Sequence, residues 1–152
     1  MLKLGAMDET DFASIHSIDI RAKIVVEVPV KVDVDKTQIS IEVENTQGTI
    51  QHKFPLALIS TAQIPAEDGF FSDTPARTEY ILKFSETAIE SFERIQASLL
   101  TEQKGQMSLS VGASFDDLPD SVEIIVFSIF LKLSETEAYI TLFDEAEIEL
   151  QR

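Results

Sequence analysis

The sequence predicts a β-rich α+β domain: a mostly antiparallel sheet or two-layer β arrangement with one amphipathic helix packed on it. Three observations predict it. Apolar and polar residues alternate through most of the chain, the pattern of half-buried strands. Only the stretch from Ser85 to about Leu100 has apolar residues at helical spacing. Short runs rich in Asp, Asn, Gly, Pro and Ser separate these segments, as turns do.

From Ile18 to Val34 the alternation is nearly unbroken, with Ile20, Ala22, Ile24, Val26 and Val28 opposite Asp19, Arg21, Lys23 and Glu27. A straight strand of that length would run roughly 55 Å, so a bend is expected, and Pro29, which lacks an N–H, is the natural place for it and for a sheet edge. A turn at Asp35-Lys36-Thr37 should fold this strand into a hairpin with Ile39, Ile41 and Val43. Asn45-Thr46-Gln47-Gly48 then turns the chain into a third strand through Ile50, His52, Phe54, Leu56 and Leu58, which makes an opening meander.

Residues 65–75 carry proline at both ends, a central glycine and no periodicity, and read as a loop. A strand follows from Arg77 to Phe84. Ser85 is a good helix N-cap, Glu86 favours the positive end of the helix dipole, and Ala88, Ile89, Phe92, Ile95, Leu99 and Leu100 form the apolar stripe. Gly105 turns the chain into a strand through Met107, Leu109 and Val111. The run from Val122 to Leu133 is apolar enough to be buried on both faces, and a turn at Ser134–Glu137 closes a last hairpin through Ile140, Leu142, Ala146, Ile148 and Leu150.

The order Phe84-Ser85, Ala88, Phe92, Gly105 resembles the strand–helix–strand unit in the periplasmic part of the SecD protein-export family. The resemblance covers a small part of the chain, implies a strand, a helix and a strand there, and assigns no site residue.

At 152 residues the chain fits one domain, and its 44% hydrophobic and 26% charged residues are those of a globular protein. Residues 1–14 read as an N-terminal lead and 15–152 as a single β-rich domain. The net charge of −15 opposes association with phosphate backbones and anionic lipids, so nucleic acid is not an expected partner. There is no cysteine, and hence no disulfide framework, thiolate metal site or thiol nucleophile. No charge-free stretch reaches membrane-spanning length. Met1–Met7 is too short an apolar run for a signal peptide, which favours a cytoplasmic protein; the alternative is an exported envelope domain whose signal or anchor was removed and whose residues 1–7 are a fusion remnant.

Four residues stand out as ligand or partner contacts. His52 shares parity with Ile50, Phe54 and Leu56, which places an imidazole on an apolar face, either as a rim histidine or as a base facing a ligand. Phe70 and Phe71 sit in a loop, either tucked onto the core or exposed to a partner. Asp144 interrupts the inward row between Leu142 and Ala146 and marks either a bulge or a buried carboxylate. Asp116, Asp117 and Asp120 match no calcium loop and read as a solvated turn. No nucleotide-binding glycine motif, nucleophile elbow or histidine metal spacing occurs, so no catalytic residue, metal or cofactor is assigned. The expectation is a noncatalytic protein-interaction or scaffold domain, with a protein partner or a second copy of itself. A small-molecule-binding domain or enzyme with a pocket between sheet and helix is the alternative.

Overall fold

The computed structural model describes residues 2–7, 15–45, 48–69, 73–102, 106–116 and 118–150. It is the expected β-rich α+β fold. The strands are β1 (Leu2–Met7), β2 (Arg21–Glu27), β3 (Lys31–Val32), β4 (Gln38–Asn45), β5 (Gly48–Ile64), β6 (Glu67–Asp68), β7 (Asp73–Thr74), β8 (Arg77–Phe84), β9 (Gln106–Gly112), β10 (Phe115–Asp116), β11 (Ile124–Lys132) and β12 (Ile140–Glu149), with helix α1 at Glu86–Glu102. Eight of them form one antiparallel sheet in the order β1-β9-β4-β5-β8-β2-β11-β12, and β10 with β3 and β6 with β7 make two-residue ladders. Leu2–Met7, inside the stretch set apart as a lead, is the end strand beside β9.

β5 organises the sheet. At about 3.3 Å per residue its 17 residues would span roughly 55 Å, far beyond a usual strand. It divides its length instead: Gly48–Pro55 pairs with β4, and Leu56–Ile64 pairs with β8. The sheet curls at that changeover, and its two end strands, β1 and β12, come into contact. One apolar core fills the concave side, drawing Ile39, Ile41 and Leu109 from one half and Ile24, Leu82 and Ile129 from the other.

Helix α1 packs on β5 and β8 beside this curl. Ser85 caps it, its Oγ accepting a hydrogen bond from the Ala88 N–H at 3.2 Å. Phe92 is fully buried and meets Phe54 and Phe84 edge-on, with ring centroids 5.5 and 5.4 Å away. The Gln96 amide reaches back to the Ile15 carbonyl at 2.7 Å, tying the entry of the domain to the helix.

Several pairings differ from the sequence expectation. β2 does not form a hairpin with β4; it lies between β8 and β11. The long alternating segment does break at Pro29, but that residue sits in a turn beyond β2, and β2 is an interior strand rather than an edge. Past the turn the chain crosses through β3 and a 3-10 turn at Val34–Lys36 to the other half of the sheet. β11 is not buried on both faces: Ile125, Phe127, Ile129 and Leu131 point inward, Val126 and Phe130 are half-buried, and Ile124 is exposed. In β12 two register shifts replace simple alternation. The first of them sets Phe143 opposite Ile129 and on the core, 5.4 Å from Phe127, while Ile140 and Ile148, although opposite the buried Leu131 and Ile125, are exposed.

Candidate functional site

The second half of β5 is the least ordinary surface of the fold. Its partner on one side is β8, whereas β4 ends its pairing at Pro55, so from Leu58 to Ile64 the other edge has no strand partner among the described residues. A bulge at Ile59 shifts the register against β8. Every side chain from Leu58 to Gln63 is exposed, with Leu58 at 44% and Ile59 at 46%. Between Lys53 and Glu67 there is no charged residue, the longest such stretch in the chain. Natural edge strands are usually guarded by charge, proline or a covering element, because their free N–H and C=O groups are templates for another strand. Here Pro55 and Pro65 bracket the exposed segment and the bulge at Ile59 twists it, but its interior carries neither charge nor proline.

A cleft of about 330 Å³ lies between β2, β7 and β12 and brings together Glu27, Asp73, Arg77, Glu145 and Glu147. Burial, the Glu145 carboxylate and the Glu147 carboxylate hold the Glu27 carboxyl above its ordinary value of 4.5, against an opposing pull from Arg77. The Arg77 Nε is buried without a hydrogen-bond partner. No group of three or more His, Cys, Asp or Glu side chains among the described residues is arranged to hold a metal ion. Because Glu27 binds its proton more tightly in the folded chain than in the unfolded one, its contribution favours the fold below the ordinary carboxyl value and is lost as pH rises through the raised one. Glu27→Gln should therefore raise the melting temperature at pH 7, with the gain vanishing once both chains are measured at about pH 4 or below. A melting temperature that falls at pH 7 would mean that attraction to Arg77 outweighs burial and repulsion.

On the outer face, Arg21 stands directly opposite Lys83 on one neighbouring strand and Lys132 on the other. Like charges placed so are unfavourable across a ladder. Arg21 donates from Nη1 to the carbonyls of Ile18 and Ile20, both at 2.8 Å, and the Lys23 Nζ lies 4.7 and 4.4 Å from the ring centroids of Phe130 and Tyr139. Burial holds the Tyr139 hydroxyl above its ordinary pKa, with Arg21 opposing and Glu79 adding. Sequence reasoning missed this basic row because its members are distant in the chain and meet only through strand order.

The residues singled out from sequence do not converge. His52 is half-buried opposite Ile41, next to buried Phe54 and near Ile50, which is 50% exposed; it sits at the rim of the apolar face. Asp144 is exposed and belongs to a bulge, where Asp144 and Glu145 together face Ser128. Glu145 takes a positive φ of 49° there, and its N–H donates to the Ser128 Oγ at 2.9 Å. Phe70, Phe71 and Asp117 lie outside the described residues. Asp116 pairs in the ladder with Lys31 and is exposed, as is Asp120. A second cleft, about 410 Å³ and mostly apolar, opens between the β9–β10 segment and β11–β12, lined by Phe115, Phe127, Ile129, Phe143 and Ala146. Neither His52 nor Asp144 lines either cleft.

No family model, no curated protein and no solved structure matches the chain. Among the described residues no helix is long and apolar enough to cross a membrane.

Proposed function

We propose that this chain is a noncatalytic protein-interaction domain that takes up an extended segment of polypeptide as an added strand on the second half of β5. The observation that carries the reading is the uncharged, exposed edge from Leu58 to Ile64, which has no strand partner among the described residues. Strand addition draws its affinity from main-chain hydrogen bonds and its selectivity from alternate side chains, and this edge offers both a free backbone and apolar side chains at Leu58 and Ile59. An added strand would also cover apolar surface that a strongly acidic chain otherwise leaves to water.

The test is backbone amide exchange with a capped peptide of alternating threonine and valine closed by two lysines. Slowed exchange and shifted amide signals confined to Leu58–Ile64 and its β8 neighbours are expected. No change at millimolar peptide, or changes centred elsewhere, overturns the reading. A second reading, small-molecule binding, is favoured by the apolar cleft around Phe115, Phe127 and Phe143, whose volume of about 410 Å³ falls in the range of small-ligand sites. Peptide-induced changes that centre on those three residues would support it instead.

A further inference from the structure

The cleft between β2, β7 and β12 lies on the face of β2 turned away from the core, where Val25 and Glu27 alternate with the core residues Ile24 and Val26. Val25 and Val126 give it apolar surface, and the carboxylates of Glu27, Glu145 and Glu147 share it with one cation, Arg77. Two of these groups lack compensation within the chain. Arg77 stands directly opposite Glu27 across the β2–β8 ladder, yet its Nε is buried with no hydrogen-bond partner among the described residues. A buried donor left so is unfavourable, and a charged one more so. Glu27, for its part, is held above its ordinary carboxyl value by burial and by the Glu145 and Glu147 carboxylates.

The cleft is also built at some cost to the backbone. Glu145 reaches it from a bulge at a positive φ of 49°, fixed by its N–H donating to the Ser128 Oγ at 2.9 Å, and Ser128 lines the same cleft. Such a backbone at a residue other than glycine persists only where its surroundings impose it.

A simple ion does not answer both groups. No three acidic side chains among the described residues are arranged to hold a metal ion, and any cation would leave the Arg77 Nε unpaired. An anion would reach Arg77 but meet the three carboxylates. A molecule with an ammonium and a carboxylate on neighbouring atoms answers both at once, through charge-assisted hydrogen bonds. The volume of about 330 Å³ falls at the lower end of small-ligand sites, and Val25 and Val126 complement an aliphatic side chain.

On these grounds we infer that this cleft binds a free α-amino acid with an aliphatic side chain, its ammonium among Glu27, Glu145 and Glu147 and its carboxylate accepting a hydrogen bond from the Arg77 Nε. A residue inside a peptide carries neither charge, so the ligand is the free molecule. None of Leu58–Ile64 lines the cleft, so the inference goes beyond the strand-acceptor reading and does not depend on it.

Calorimetric titration with L-leucine, isoamylamine and isocaproate is the test, because the last two keep the branched chain but lack the carboxylate and the ammonium respectively. Saturable binding of L-leucine at millimolar concentration is expected, with isoamylamine about tenfold weaker and isocaproate not measurable. In the unaltered chain, whatever becomes of the variants, L-leucine should shift the amide signals of Glu27, Arg77, Glu145 and Glu147. Arg77→Gln should bring L-leucine down to the affinity of isoamylamine without weakening isoamylamine itself, since it removes a donor that only the carboxylate uses. Glu147→Gln should weaken both ligands, and Glu90→Ala, on the exposed side of α1, neither. No binding of L-leucine, shifts centred away from the cleft, isoamylamine binding as tightly as L-leucine, or a folded Arg77→Gln chain that still prefers L-leucine overturns the inference.

Discussion

Phe92→Asp is expected to abolish or severely weaken folding. The ring is fully buried between Phe54 and Phe84, so its loss alone costs about 3–5 kcal/mol, and a carboxylate left in that apolar site adds the cost of burying a charge or of holding it protonated. Domains have only about 5–15 kcal/mol in all. At roughly 2–4 °C per kcal/mol for a chain of this size, the melting temperature should fall by at least about 6–20 °C, if a transition survives. Glu90→Ala, on the exposed side of the same helix, should cost about 0.5 kcal/mol or less. Thermal melts followed by circular dichroism separate the two, and similar melting temperatures would refute the packed helix.

Leu82→Ala and Leu58→Ala should differ as sharply although the two residues face each other across the β5–β8 ladder. Leu82 is fully buried in the core, and its truncation should cost about 2–5 kcal/mol. Leu58 is 44% exposed, so its truncation in the monomer should cost about 1 kcal/mol or less. Denaturant titrations at low protein concentration measure both. Equal losses would mean that the second half of β5 is covered rather than free, and the docking surface would go with it.

Local signals held where the chain interacts with its own neighbours. Ser85 caps the helix, Phe92 lies in its buried stripe, Thr78, Tyr80, Leu82 and Phe84 share an inward face, and β4–β5 and β11–β12 are hairpins. Each depends on residues close in sequence, whose periodicity and turn chemistry are read directly. Signals failed where a strand had to choose a distant partner. Nothing in the alternation of β2 says that it pairs with β8 and β11 rather than β4, and the bulge that turns Phe143 inward and Asp144 outward arises against Ser128.

The candidate site divides in the same way. That residues 54–66 are uncharged, with Pro55 and Pro65 near their ends, is legible in the sequence, as is the alternation that makes a strand as far as Leu58; the continuation of that strand to Ile64 is not. That their far edge has no strand partner among the described residues is not, because it depends on β4 ending its pairing at Pro55 while β8 begins at Leu56. The row of Lys83, Arg21 and Lys132, hidden within a net charge of −15, was likewise out of reach of a linear reading. The sequence by itself determined the class of fold, the helix and the local strand faces, since period and capping act over a few residues. Strand order, curl, open edge and charge clustering were decided by the tertiary structure, because each is set by long-range pairing in which many orders satisfy the same local periodicity.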